Sequence, residues 1–461
     1  MYNTLKTQLF AGLTFTLFTA FVHADFELGM SYYQANEFEK AYKEFFEAAQ
    51  YGDYDAQNNI GVMYYRGEHL PKNFTSAYAW MALAAQAESH KESAIHNKIF
   101  SRMSDADKKI AEAEYKKLFS QYSDSAIEQK LTPVFTGKTL SVKDHRAIKR
   151  VAPEYPTAMI KQGASGFVDI VFTIDKYGIT RDHVPTYAVS KSFEKAAVNA
   201  LRQFQFEPMK INDKPVAVNG LKTRFNFEME GASYNKKKLD KVIAEQRNKA
   251  ATGTETDKLG FAYFLEAVPS FAKDYELSDN PNQWYIDAAN QGSGAASYFL
   301  GRNILYGNMC TQDSGQSMGW LLKAAKAGIT DAQYMLAIES FSGARFEKNE
   351  DKGFYWLARA ANANKGAKIR YAWILATHPD TARRDGKLAA EYLSGIEKNY
   401  LDKQSYYQTQ AAVAAENNNF KQAIEWQKKA LEDAQDLKLP LQVLEQQLAS
   451  YSAQNPWREE I

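Results

Sequence analysis

Two kinds of hydrophobic patterning alternate along the chain. In the first, Trp284, Trp320 and Trp356 recur at 36-residue intervals, and each is followed four residues later by an Ala pair: Ala288–Ala289, Ala324–Ala325 and Ala360–Ala361. The same beat occurs near the N-terminus, where Ala48–Ala49 leads to Trp80 and Ala84–Ala85. A fixed period of this length predicts stacked helix pairs: small residues let neighbouring helices approach and aromatic residues fill the space between them. Leu28-Gly29 with Tyr32-Tyr33 corresponds to Ile60-Gly61 with Tyr64-Tyr65, and Phe38, Ala41 and Ala48 correspond to Phe74, Ala77 and Ala84. Longer helices follow between Ala94 and Tyr122, the second with Ser104 as its N-cap. Beyond Trp356 the beat decays, with Asn364 where the repeat wants Gly, until Phe420, Ala423, Ile424, Trp426 and Ala430 restore a helical stripe.

The second pattern lies in the middle. Val168, Ile170, Phe172 and Ile174 alternate with Phe167, Asp169, Val171 and Thr173, which predicts a strand with one buried face. Asp175-Lys176-Tyr177-Gly178 supplies a turn into a second strand. Phe193, Ala197, Ala200, Leu201 and Phe204 form one helical stripe, capped by Ser190 or Ser192 and stopped by Pro208. Leu221, Thr223, Phe225, Phe227 and Met229 alternate with Lys222, Arg224, Asn226 and Glu228 in a last strand. Strand, strand, helix, strand predicts an antiparallel sheet with its helix on one face. The fold class is therefore multidomain and mostly α: two α-solenoid blocks, at 25–130 and 233–461, flank a small α+β unit at 131–232.

Charge adds little to this picture. The chain has 461 residues and a net charge of +1, so no global field favours nucleic acid. Lys236-Lys237-Lys238 reads as a solvated linker. Residues 1–24 read as an export signal, with Lys6, a weakly apolar run from Leu9 to Val22, and a Val22-His23-Ala24 cleavage site. Retention of this run as an uncleaved membrane anchor is the alternative. The single cysteine, Cys310, reads as a small buried hydrophobe.

Candidate chemistry is sparse. The seven histidines are scattered, with no HExxH, and one cysteine cannot build a zinc site. His90 and His96 share a Lys/Glu-rich stretch that predicts a solvated surface. No phosphate-cradling loop or nucleophile elbow is present. The expectation is a binding protein with no catalytic residues, no metal and no cofactor.

Two resemblances sharpen this expectation. Ala56, Ile60-Gly61, Tyr64 and Gly67, then Ala77, Trp80 and Ala84–Ala85, resemble Sel1-like repeats, a branch of the tetratricopeptide superfamily. Pro153-Glu154-Tyr155-Pro156, Ala158, Gly163, Gly166, Val168, Phe172, Ile174-Asp175 and Gly178 open a second match. It continues through Ser190, Phe193, Ala196–Ala197, Ala200, Phe204, Phe206, Pro208, Pro215-Val216 and the Phe225–Phe227 strand, and is similar to the TonB C-terminal domain. The resemblance implies a periplasmic protein that captures a peptide of a TonB-dependent outer-membrane receptor, or of another envelope protein, as an added strand. It also implies an inner-membrane ExbB–ExbD-type motor as a further partner in energy-coupled transport. Carried over, the contact residues are Arg150, Val151, Tyr155 and Pro156 in the lead-in, with Lys222, Arg224, Asn226 and Glu228 on the last strand. Against motor coupling stand the 12 prolines, none in a run, so the extended spacer of that family is absent. A cell-envelope scaffold not coupled to transport is the alternative function.

Overall fold

The computed structural model describes residues 24–87, 90, 95–132, 135–139, 147–162, 164, 166–211, 214–216, 218–228, 236–272, 274–343, 345–396 and 400–459. The expected leader up to His23, together with Gly163 and Met229, lies outside them.

The N-terminal repeats form α1 (Ala24–Gln34), α2 (Phe38–Ala49), α3 (Tyr54–Arg66) and α4 (Phe74–Ala84). Ala41, Ala48, Ile60 and Trp80 are buried between them, as their spacing predicted. Gly61 allows α3 to lie against α4, since a Cβ there would come within 2.6 Å of Met81 Cγ. Asn73 caps α4, its side-chain Oδ1 accepting from the Thr75 and Ser76 amides. Next come α5 (Ile95–Ser101), α6 (Asp105–Tyr122), N-capped by Ser104, and α7 (Asp124–Leu131). His90 is not on a solvated face: its Nε2 lies 2.9 Å from Asp55 Oδ1, so packing and pairing take it out of water.

The middle segment contains β1 (Phe135–Thr139), β2 (Ala147–Lys149), α8 (Thr157–Lys161), β3 (Gly166–Ile174) and β4 (Thr180–Ala188). It continues with α9 (Lys191–Leu201), β5 (Gln205–Phe206), β6 (Met209–Ile211), β7 (Lys214–Val216) and β8 (Val218–Phe227). The main sheet is antiparallel in the order β4-β3-β8. In the β3–β4 turn, Asp175 Oδ1 accepts from the Tyr177 and Ile179 amides at 2.9 Å. Gly178 there has φ +84°, and a Cβ on it would strike the Phe206 carbonyl oxygen. One face of the sheet packs Val168, Ile170, Phe172, Phe225 and Phe227 against Phe193, Ala197 and Leu201 of α9. Ser190 is the cap, accepting from the Phe193 amide. The helix stops at Leu201, well before Pro208, because the chain turns there to bring Phe204 and Phe206 into the same core.

The C-terminal array comprises α10 (Lys236–Thr252), α11 (Glu255–Phe271), α12 (Pro281–Asn290), α13 (Gly294–Tyr306), β9 (Asn308–Cys310), α14 (Ser314–Lys326) and α15 (Thr330–Ser342). It ends with α16 (Glu350–Ala361), α17 (Lys365–Thr377), α18 (Gly386–Ser394), α19 (Lys403–Glu416), α20 (Phe420–Asp436) and α21 (Gln442–Ser452). The triple lysine, read as linker, opens α10 and is exposed on it. Cys310 is buried.

Both faces of the array are covered. On one side the N-terminal repeats dock through ion pairs: Lys326 with Asp53 at 2.8 Å, Lys352 with Glu44 at 3.2 Å, and Arg359 with Glu27. On the other side β8 runs against α15 and β4 against α17 and α19, while Glu266 of α11 and Arg302 of α13 reach the sheet through Arg224 and Asp169. Helices α15 and α17 are accordingly buried almost all round, including every residue from Ala332 to Phe341. The sheet is thus buried on both faces: every residue from Phe167 to Ile174 is buried, where the alternation had predicted one solvated side.

Trp320 joins the two repeat blocks. It is 1% exposed, and its Nε1 donates to the Leu131 carbonyl at 2.8 Å. Trp320→Ala should cost about 3–5 kcal/mol, the usual range for a buried aromatic truncation. Urea denaturation checks this, and an unchanged midpoint would contradict the packing role.

Candidate partner-binding edge and the layer beneath it

Polar residues on a buried strand need partners, since an unpaired buried charge is costly. On the array side of the sheet, Asp169 is fully buried and Arg224 grips it with two bonds of 2.6 Å, from Nε and Nη2. Arg224 Nη1 also donates to the Glu266 carbonyl of α11 at 3.1 Å. The Glu266 carboxylate accepts from Arg302 of α13 and, at 2.9 Å, from the Tyr285 hydroxyl. Lys222 Nζ lies 3.4 Å from Asp169 and 3.6 Å from Glu266. Asn303 and Asn282 extend the network through a 2.8 Å bond. The Arg224 guanidinium also lies over the Phe167 ring at 4.1 Å, and Phe167 stacks on Tyr263 at 5.9 Å.

These charges tune one another. Burial alone would raise the Asp169 carboxyl, but Lys222, Arg224 and Arg302 overcome it and hold the group well below the usual carboxylate range. Burial opposes Glu266 in the same way, and Arg302, Lys222 and Arg224 bring it down to about 2. Lys222 moves oppositely: burial, then Arg302, lowers it to about 8 against the pull of Asp169 and Glu266.

A second cluster seals the β4 edge. The Asp182 amide donates to Ser405 Oγ at 3.4 Å, and the His183 amide to Asp402 Oδ2 at 3.3 Å. His183 Nδ1 stands 3.0 Å from Asp402. Asp182 takes φ +55° at an irregularity in the β3–β4 register, and its carboxylate lies 3.6 Å from Arg370 of α17. Arg181 pairs with Glu459 at 3.3 Å.

The β8 edge is different. The Phe167 carbonyl accepts from the Val189 amide, and the Asp175 amide donates to Ile179. Odd-numbered β3 residues therefore point their main-chain groups at β4, and even-numbered ones at β8. Through the register Val168↔Phe225 and Ile170↔Thr223, the amides and carbonyls of Phe225 and Thr223 face β3. Those of Lys222, Arg224 and Asn226 face outward, and among the described residues no further strand pairs with that side.

The sequence-predicted contact residues divide between these features. Asn226 and Glu228 are exposed at the open edge. Lys222 and Arg224 offer their main chain there, while their side chains belong to the buried ionic layer. Tyr155 packs edge-to-face on Phe193 and on Phe227, at 5.6 and 5.8 Å, and its hydroxyl donates to the Ala164 carbonyl. It brings the lead-in beside the end of β8. Pro156 precedes α8 at its N-cap position, Val151 packs on the sheet–helix core, and Arg150 is exposed. Sequence reasoning missed Asp169, Glu266 and Arg302. The available signal was a lone charge in an otherwise apolar stretch: Glu266 within FLEAV and Arg302 within FLGRNIL.

Comparison with known proteins bears on both parts. Residues 151–229 match the model of the Gram-negative bacterial TonB protein C-terminal family. Residues 55–89, 294–329 and 330–365 match the Sel1 repeat. The chain thus carries a TonB C-terminal domain among Sel1 repeats, both families of the interaction and scaffold type. No curated protein matches. Similar solved structures include a Sel1 repeat protein from Oxalobacter formigenes, at 16% identity and TM-score 0.28, covering 80% of this chain and 97% of that one. Another is c5321, a protective antigen of uropathogenic Escherichia coli strains displaying an SLR fold, at 16% identity and TM-score 0.34, with 95% and 81% covered. A third is yeast Tom70, at 15% identity and TM-score 0.24, with 94% and 88% covered. Among the described residues no helix is long and apolar enough to cross a membrane.

The depressed carboxylates give a signed prediction. Glu266 contributes its stability in full above its unfolded value near 4. That contribution is lost as pH falls through the folded value of about 2. Glu266→Gln should cost about 3–5 kcal/mol at neutral pH, because Arg302 loses its counter-charge in a buried site. It should also flatten the acid limb of the stability–pH curve. Urea denaturation at pH 7 and pH 3 measures both effects.

Proposed function

We propose that this chain works in the cell envelope by capturing an extended segment of an outer-membrane receptor, or of a related envelope protein, as an added strand on β8. The observation that supports this most is the contrast between the two sheet edges. Side chains of α19 and its N-cap accept from the Asp182 and His183 amides of β4, whereas β8 directs the main-chain groups of Lys222, Arg224 and Asn226 outward. Strand addition draws affinity from such main-chain groups and selectivity from alternating side chains. The TonB C-terminal match over 151–229 supports the same mode, and with it a place in energy-coupled transport.

In this proposal residues 131–232 form the working unit, and the repeats at 25–130 and 233–461 hold it and present further surface to partners. Residues 1–24 direct export to the periplasm. Arg150, Tyr155 and Pro156 flank the incoming strand near the end of β8, with Glu228 beside it.

Outward-facing amides make the test specific. Asn226→Pro removes an N–H that β3 does not use, so the domain should stay folded while binding is lost. Phe225→Pro removes an inward N–H and should unfold the sheet. Circular dichroism together with binding to receptor-derived peptides separates the two. A folded Asn226→Pro variant that binds with unchanged affinity would rule out capture at this edge.

A further inference from the structure

We propose that, independently of strand capture at β8, helix α2 is a displaceable occupant of a groove on the opposite side of the C-terminal array. The groove receives an acidic amphipathic helix of a partner protein once α2 has left it.

Helices α14 and α16 flank the groove, and α15 lies at its base. Met318, Leu322, Leu336, Phe346 and Trp356 line it, and a cavity of about 30 Å³ remains beneath α2. The floor is apolar, yet α2 covers it with Lys43 and Glu47, one helical turn apart. Lys43 reaches Glu347 at 2.8 Å, and Glu47 pairs with Lys352. The misfit has a cause in α2 itself. Its apolar side chains Ala41, Phe45 and Ala48 are committed to the core of the N-terminal repeats, so a polar face is what remains for the array. Apart from Lys43, the ion pairs across this contact among the described residues run one way. Glu27, Glu44, Glu47 and Asp53 of the repeats meet Arg359, Lys352 and Lys326 of the array.

The contact is separable. The apolar cluster of the N-terminal repeats includes no residue of the array, and of residues 24–122 only Tyr51 packs on the array's apolar clusters among the described residues. Ile127 and Leu131 of α7, by contrast, sit inside an array cluster. The repeats can therefore lift away while α7 keeps them tethered. Lifting returns the paired charges on both faces to water, and recovered hydration offsets much of the lost attraction. It uncovers the apolar floor and turns Lys352 to solvent beside it. A helix with Leu at the places of Lys43 and Glu47, and Glu at the place of Glu44, would fill the cavity and still meet Lys352. α2 supplies the second contact without the first.

The experiment uses the full chain and fluorescence anisotropy with labelled helices of Ala and Gln, about 16 residues long so that they hold their helix. The probe carries Leu, then Glu, with a second Leu one turn after the first. One control replaces its Glu by Gln, and another restores Lys and Glu in place of the two Leu. The probe should bind about tenfold more tightly than either control, the scale of one charged hydrogen bond or one buried leucine. Glu27→Lys with Glu47→Lys cuts the docking from the repeats' side and leaves Lys352 in place. Because the docked state withholds the groove, this chain should bind the probe about tenfold more tightly than the unaltered one. Arg359→Ser cuts the docking from the array's side and should act in the same direction. Adding Lys352→Met should abolish the preference for Glu over Gln. Equal binding by docked and released chains, both folded by circular dichroism, would overturn α2 as the occupant. Released chains that bind no helix would overturn the groove as a helix site. Equal affinity for the Glu and Gln helices would overturn the acidic partner, and a Glu preference that survives Lys352→Met would overturn Lys352 as its anchor. Sedimentation should find the unaltered chain monomeric. A dimer that Lys352→Met disperses would overturn a separate partner in favour of α2 from a second copy.

Discussion

The fold depends on a charged layer buried between a β-sheet and a row of helices. Asp169, Arg224, Glu266 and Arg302 come from β3, β8, α11 and α13, and the layer is complete only when all four elements are in place. Buried ion pairs are weak sources of net stability, because desolvation offsets much of the attraction. They are strong sources of specificity, because breaking one leaves a charge with nowhere to go. An apolar interface would let the sheet slide across the helices. The bond from Arg224 to the Glu266 carbonyl, and Arg302 beside Asp169, tie the sheet to α11 and α13 in one register.

The same layer explains the division of labour within β8. Its side chains toward α9 make an apolar core, Lys222 and Arg224 on the array side join the ionic layer, and its outward main-chain groups pair with no further strand among the described residues. β4, at the opposite edge, gives the Asp182 and His183 amides to Ser405 and Asp402. One sheet therefore has a closed side and an open side, and the closed side is closed by helices far along the chain.

Much of this was legible in the amino-acid pattern. The Trp–Ala–Ala beat placed Trp320 and Trp356 correctly in the core, because large aromatics at a fixed helical period have no other economical location. The alternation in β3 and β8 gave the strands, and Asp175 with Gly178 gave the turn. The second buried face was not legible. Strands bearing Asp169, Thr173, Lys222 and Arg224 look solvent-facing until their charges are seen to pair with one another and with Glu266 and Arg302 of distant helices. The outward direction of Asn226 was equally hidden, since it depends on which strand lies centrally. The docking of the N-terminal repeats on the array could not be read either, because Asp53, Glu44 and Glu27 resemble ordinary surface acids.

Repeat arrays of this kind usually behave as springs: each unit touches only its neighbours, and small rotations add up along the stack. Here the sheet touches α11, α13, α17 and α19 at once, through Arg224, Arg302, Asp182 and Asp402. Such a brace converts the spring into a truss. Bending the array would shear the ionic layer in several places together, so its curvature is set by the width of a three-stranded sheet. A strand held on β8 would then hang from a stiff body, and load along it would pass into the whole helical frame rather than stretch one repeat.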